Sequence, residues 1–316
     1  MNLVKLFSKG SLISFYHQFH KPPYGGGNQF LLALRNEFNR IGYSVDVNWV
    51  GKNTKACLFN SFNLDFEKIR TVQKKYSYIR LVHRVDGPIG TYRGYDDGTD
   101  KKIWKINNEI ADVTIFQSNY SFHKHLELGM VFRNPIVISN AVNPTIFNKQ
   151  NRLAPPDGKR KIRLIATSWS DNHRKGGPVY KWIEERLNWN KYEFTFVGRT
   201  QERFLRIKLI PVCSPKKLSQ ILRQHDIYIT ASIADPCSNS LLEALSCGLP
   251  AVFLNSGGHP ELVKEAGVGF STNEGALVAI DQVAERFKYY QSVINVTPIQ
   301  DVAKRYLKVM LEKHAI

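Results

Sequence analysis

Two carboxylates stand eight residues apart in the segment Asp235-Pro236-Cys237-Ser238-Asn239-Ser240-Leu241-Leu242-Glu243. Residues 227–230 just before it read as a strand. Residues 240–246 read as a short helix, closed by Gly248 and Pro250. Asp235 then lies just past a strand end, and Glu243 lies one turn inside a helix. The N-terminus of such a helix offers free N–H groups and a positive dipole end to a phosphate. Glu243 is placed to accept hydrogen bonds from a diol such as ribose. Taken alone, the pair also fits an ordinary early-helix acid and a turn residue before proline.

Two other loops carry phosphate chemistry. Residues 168–177 place Arg174 and Lys175 immediately before a helix that opens at Pro178. Arginine grips phosphate oxygens bidentately and lysine adds a point charge, although two solvated cations look the same in so basic a chain. The run Tyr24-Gly25-Gly26-Gly27-Asn28 follows the first strand. Glycines let backbone N–H groups approach a phosphate at a helix start, and a plain flexible turn would read identically. The run is not G-x-G-x-x-G, and no acid ends the second strand as a ribose ligand for NAD.

These loops need elements to hold them. Residues 12–15 read as a strand, followed by a loop with Pro22, Pro23 and three glycines. A helix over 28–41 has Phe30, Leu31, Leu34, Phe38 and Ile41 on one face, and Gly42 stops it. Tyr43, Val45, Val47 and Trp49 alternate as a strand does. Further strands are expected over 56–59, 79–83, 113–116 and 137–138, with helices over 65–75, 101–111 and 120–128. The polar, proline-containing stretch 148–161 reads as a linker. Beyond it come strands at 162–166, 193–197, 227–230 and 251–254. The helices there run over 178–187 and from a Ser214 cap with Pro215 at its first position. Such alternation predicts parallel sheets covered by helices on both faces. Two such halves predict two Rossmann-like, doubly wound α/β domains, 1–150 and 151–297, facing a central cleft. The loops above fall at the carboxyl ends of strands, where such sheets bind ligands. The segment 298–316 reads as an amphipathic helix.

The run from Asp235 to Pro250, followed by Gly257-Gly258-His259-Pro260-Glu261, is similar to the donor-site signature of the retaining family-four glycosyltransferases, the group 1 type. Other segments resemble that family in order and spacing: the glycines 25–27, His83-Arg84-Val85-Asp86-Gly87, Ile138 to Asn143 with Phe147, Arg174-Lys175-Gly176, and Val197-Gly198. The resemblance implies a GT-B fold whose C-terminal helix crosses back to the first domain. It implies a nucleotide-diphosphate sugar as donor and retention at the anomeric carbon. Carried over by position, Lys175 with Arg174 would hold the diphosphate, Glu243 the ribose, and Asp235 sugar hydroxyls. Gly26, Gly27 and the amides of Ser238, Asn239, Ser240 and Leu241 would approach phosphates or sugar. The base would sit near Gly198, Arg199 and the Pro211–Val212 backbone, and His83 near the transferred sugar. Three positions depart from the family pattern: Asp235 stands where glutamate is usual, Ser170 where the basic loop has an arginine, and Ala141 where glycine is usual.

With cations and a helix N-terminus to stabilise a leaving diphosphate, and no Asp-x-Asp pair, neither a metal nor another cofactor is expected. The sugar is expected to be of hexosyl type and the acceptor a glycan or a lipid-linked molecule. Rival readings are another GT-B sugar-nucleotide enzyme, such as an epimerase or phosphorylase, and a basic nucleic-acid-binding protein. The net charge of +17, spread over both halves, invites the last of these. No zinc finger, helix-turn-helix spacing or RNP-like strand supports it, so no nucleic acid is expected. The charge also suits peripheral contact with an anionic membrane. Four cysteines without C-x-x-C spacing, no signal peptide and no long apolar run point to a cytoplasmic protein.

Overall fold

The computed structural model describes residues 11–21 and 25–312, so Pro22, Pro23, Tyr24 and the ends of the chain lie outside it. Apolar runs become two sheets of six strands, parallel throughout. The first contains β1 (Ile13–Tyr16), β2 (Val45–Val47), β3 (Ala56–Asn60), β4 (Arg80–Val85), β5 (Val113–Phe116) and β6 (Pro135–Val137), in the order β2-β1-β3-β4-β5-β6. The second contains β7 (Ile162–Ser168), β8 (Tyr192–Gly198), β9 (Lys208–Ile210), β10 (Ile227–Thr230), β11 (Ala251–Leu254) and β12 (Gly267–Phe270), in the order β12-β11-β10-β7-β8-β9. The order reverses between β1 and β3 in one sheet and between β7 and β10 in the other. Crevices for ligands open at such switch points. All five residues of β3 are buried, as expected for strands covered on both faces.

The helices are α1 (Gly26–Arg40), α2 (Phe66–Lys75), α3 (Ile89–Arg93), α4 (Thr99–Ile110), α5 (Asn119–Glu127), α6 (Gly177–Arg186), α7 (Pro215–Arg223), α8 (Asn239–Ser246), α9 (His259–Val263), α10 (Asn273–Glu285), α11 (Phe287–Ser292) and α12 (Ile299–Leu311). In α12 the buried residues Ile299, Val302, Ala303, Tyr306, Val309 and Met310 recur at helical spacing. They join Phe30, Leu34 and Phe38 of α1 in the core of the first domain, with the Phe30 and Tyr306 rings 5.8 Å apart. The C-terminal helix therefore crosses back onto the domain where the chain began. Burying each large aliphatic side chain is worth about 1.5–3 kcal/mol, so the crossing ties the two domains into one unit.

Several elements differ from the sequence expectation. The strand expected over 43–49 is only three residues long, because Asn48 takes a left-handed backbone (φ 52) and turns its amide onto Phe15 O. The first long helix begins at Gly26 rather than at residue 28, so Gly26 and Gly27 form its first turn. Four helices (α3, α9, α10 and α11) and two short strands, β9 and β12, are additions. The polar stretch 148–161 is not free. Arg160 grips the fully buried Asp226 with both terminal nitrogens, at 2.6 and 2.8 Å, and Arg163 N–H donates to the same carboxylate at 2.9 Å.

One buried acid fixes the edge of the second sheet. Glu184 of α6 is 3% exposed, and its Oε1 accepts the N–H groups of Leu205, Arg206 and Ile207 at 2.7, 2.6 and 2.8 Å. Lys181 donates to Oε2 at 2.6 Å. Burial works to raise the Glu184 pKa, but these donors outweigh it and hold the carboxyl below its ordinary value. The 204–207 turn they secure leads into β9.

Candidate functional site

A cleft of about 870 Å³ opens between the carboxyl ends of the two sheets. Its second-domain wall is built from three strand-to-helix connections. After β7, a single 3-10 turn over His173–Lys175, closed by Gly176 at φ 94, presents Lys175. After β10, Asp235 faces it, with Lys175 Nζ 2.9 Å from Asp235 Oδ2. Asp235 Oδ1 accepts the Cys237 N–H at 3.2 Å. Burial works to raise the Asp235 pKa, while the charge of Lys175, with His259, more than offsets it and holds the carboxyl low. The turn bearing Asp235 is braced from beneath by Gly257, whose φ is 64 and whose added Cβ would lie 2.2 Å from Asp235 O. Gly258 N–H donates to that carbonyl at 2.9 Å.

The third connection opens α8. Ser238 caps the helix through Oγ, and the first-turn N–H groups of Asn239 and Ser240 have no carbonyl four residues back inside it. Ser238, Asn239 and Ser240 all line the cleft, so a positive helix end faces it. One turn in, Glu243 also lines it. Its carboxyl makes no hydrogen bond among the described residues, and burial alone pushes its pKa up to about 8. The same cleft is also lined by Phe147, Val197, Gly198, Val212, Cys213 and Leu218, an apolar stretch of wall.

The first domain supplies Gly25, Gly26, Gly27, Asp86, Tyr92 and Gln117. Behind Asp86 lies Arg84, fully buried. Its Nη1 donates to Asp86 Oδ1 at 3.0 Å and Asn60 Oδ1 at 2.6 Å, and its Nη2 to Asn140 Oδ1 at 2.9 Å. Gln117 Nε2 donates to the same Asp86 oxygen. Asn140 continues the network into the second domain, donating to Asn239 Oδ1 at 3.1 Å. The domains also meet where Asn172 donates to Arg93 O at 3.2 Å. Glu261, from α9, caps α5 of the other domain, accepting Asn119 N–H at 2.9 Å and Tyr120 N–H at 2.7 Å.

Ten of the residues singled out from sequence line this cleft: Lys175, Asp235, Gly26, Gly27, Gly198, Val212, Ser238, Asn239, Ser240 and Glu243. Four do not. His83 is 0% exposed; its Nε2 lies 3.1 Å from Ser61 O, its Nδ1 3.1 Å from Asn107 Nδ2, and its ring stacks on Phe59. Burial drives its pKa down to about 3, and its side chain does not line the cleft. It lies inside β4, whereas Asp86 is the first residue past that strand and is the one that reaches the cleft. Arg174 turns toward the first domain, its Cδ 2.8 Å from where a Cβ on Gly94 would lie. Arg199 lines a small side recess and stacks over Trp169, 4.7 Å from the ring centroid. Leu241 is buried in the core, and its amide is taken by the Ser238 cap. Asp86, Gln117 and Tyr92 were the residues missed. For Asp86 the strand-end position was a usable signal; for the other two there was none.

Residues 190–290 match the sequence profile of the family described as Glycosyl transferases group 1. No curated protein matches by sequence. Among solved structures, sucrose-phosphate synthase from Thermosynechococcus elongatus is similar at a TM-score of 0.71 and 12% identity, over 94% of this chain and 97% of that one. A glycosyltransferase from Rickettsia africae is similar at a TM-score of 0.67 and 14% identity, over 97% and 100%. Anabaena HepE, solved in complex with UDP and glucose, is similar at a TM-score of 0.65 and 16% identity, over 93% and 95%. The architecture is thus the two-domain GT-B fold, and residues 190–290 within it are similar to the group 1 glycosyl transferases. No helix among the described residues is long and apolar enough to cross a membrane.

Proposed function

We propose that this protein is a retaining glycosyltransferase that moves a hexosyl-type sugar from a nucleotide-diphosphate sugar to a glycan or lipid-linked acceptor. The observation that carries this reading is the joint placement, on one cleft wall, of Lys175, the open end of α8 and the unpartnered Glu243. Glu243 would accept the two ribose hydroxyls, and the apolar stretch of wall would take the base. The α8 amides and Lys175 would face the diphosphate. The similar Anabaena protein, solved with UDP and glucose, favours this donor class.

Breaking the bond between the anomeric carbon and the diphosphate builds negative charge on the leaving phosphate. Lys175 Nζ, held at the wall by Asp235, and the α8 N–H groups lie ready to stabilise that charge without reorganisation. In a front-face reaction the leaving phosphate takes the acceptor proton, so no protein nucleophile is required. Asp235 would accept a hydroxyl of the transferred sugar. Because fixed cationic groups supply the charge, we propose that no divalent metal is needed. Turnover that persists in EDTA is the expected result, and turnover abolished by EDTA would overturn that part. Proton NMR of the product should show the anomeric configuration of the donor; an inverted product would sink retention. The net charge of +17 fits a cytoplasmic protein that leans on an anionic membrane, and failure to co-sediment with anionic liposomes at low salt would refute that contact.

A further inference from the structure

Asp86 stands out once the nucleotide wall is set aside. It is a carboxylate of the first domain, 19% exposed, at the cleft. Its two oxygens are used very differently. Oδ1 takes both Arg84 Nη1 and Gln117 Nε2, while Oδ2 makes no hydrogen bond among the described residues. The buried Arg84, tied in turn to Asn60 and Asn140, fixes the carboxylate so that its open oxygen keeps one direction.

Asp86 also sits beside Asp235 of the other domain. Their chain neighbours touch: a Cβ on Gly87 would lie 2.4 Å from Pro236 Cβ. Both acids are felt at one phenol, for burial first, and then the charges of Asp86 and Asp235, push the Tyr92 hydroxyl above the ordinary phenol range. Two fixed carboxylates on opposite walls repel a diphosphate and attract hydroxyl donors. A pyranose between them offers such donors on more than one side.

Resting on the glycosyltransferase reading above, we infer that Asp86 is a specificity-determining residue of the first domain, whose Oδ2 accepts a hydroxyl of the transferred sugar while Asp235 holds another from the second. Full recognition of the sugar then needs both walls, whereas the nucleoside diphosphate needs only the second.

The substitution Asp86→Asn gives a sharp test. Arg84 and Gln117 both donate to the Oδ1 position, so the amide oxygen stays there and the NH2 group takes the place of Oδ2. The cleft-facing acceptor becomes a donor with almost no change of shape. Calorimetric titration of wild type, Asp86→Asn and Asp86→Ala uses the nucleoside diphosphate that stabilises the wild type and its sugar conjugate. Affinity for the nucleoside diphosphate should be unchanged in both variants, which also shows that they fold. Affinity for the sugar conjugate should fall about tenfold or more, the size of a lost hydrogen bond to a charged group. Unchanged affinity for the sugar conjugate overturns the proposal alone, as does a change confined to the acceptor KM. Equal loss of both ligands makes Asp86 a support of the cleft and also overturns it. A wild type that binds no nucleoside diphosphate overturns the glycosyltransferase reading and this proposal together.

Discussion

If Glu243 holds the ribose, ligand binding must depend on pH. Burial raises its pKa from 4.5 to about 8, and nothing among the described residues donates to it. A ribose diol is a pair of donors and needs the carboxylate ionised. With a pKa of 8 in the free protein, about 3% of molecules are ionised at pH 6.5 and about three quarters at pH 8.5. The apparent Kd for the nucleoside diphosphate should therefore tighten about 25-fold over that range, since affinity scales with the competent fraction. Titration calorimetry at both pH values, on wild type and Glu243→Gln, separates this from ionisation of the nucleotide itself. The glutamine variant should bind weakly and lose the protein's part of the pH dependence. A wild-type Kd that parallels the variant's across the range would refute the reasoning. Stability moves the other way. The folded-state pKa lies above the unfolded one, so the free protein loses stability as pH rises from about 4.5 to about 8. Glu243→Gln should abolish that loss and melt above wild type at pH 8.5.

Glu261→Ala removes a three-bond cap on α5 made across the domains. A cap of this kind is worth about 1 kcal/mol, so faster hydrogen exchange at the start of α5 is expected, with a wider cleft by small-angle scattering. Glu184→Ala strands three backbone N–H groups and Lys181, at a cost of about 3 kcal/mol or more, read as a lower urea midpoint. Because the Glu184 pKa is depressed in the fold, its contribution is present above the ordinary carboxylate pKa and fades as pH falls through the folded value. Gly257→Ala drives a Cβ into Asp235 O from a left-handed backbone, so turnover should drop while Glu243-dependent nucleotide binding largely survives.

Much of this architecture was legible in the sequence because two periodicities did the work. Apolar runs bounded by glycine, proline and asparagine became buried parallel strands, and the spacing Ile299, Val302, Tyr306, Val309 placed α12 against a core. The short edge strands were not legible. Lys208–Ile210 is three residues long and exposes two of them, and Gly267–Phe270 is half glycine, so neither gives an apolar run long enough to read as a strand. At the site, the loop after β10 was readable because its chemistry is local: Asp235, the Ser238 cap and Glu243 lie within nine consecutive residues. His83 has an apt residue type but lies inside the buried part of β4; three residues on, past the strand end, Asp86 faces the cleft. Arg174 and Lys175 are neighbours in one tight turn, and only the fold decides which of two adjacent cations points inward. The part played by Arg84, deep in β4, is not legible in sequence, because it is fixed by Asn60 and Asn140 from two other segments as well as by Asp86 two residues on.

The central claim is that a nucleotide sugar binds on the α8 wall of the cleft. The most direct measurement is a thermal-shift panel of UDP, GDP, ADP and TDP with their sugars, in EDTA, on wild type and Glu243→Ala. One base should raise the melting temperature of the wild type, and that rise should vanish in the variant. No rise with any of them, or a rise that Glu243→Ala leaves intact, would contradict it.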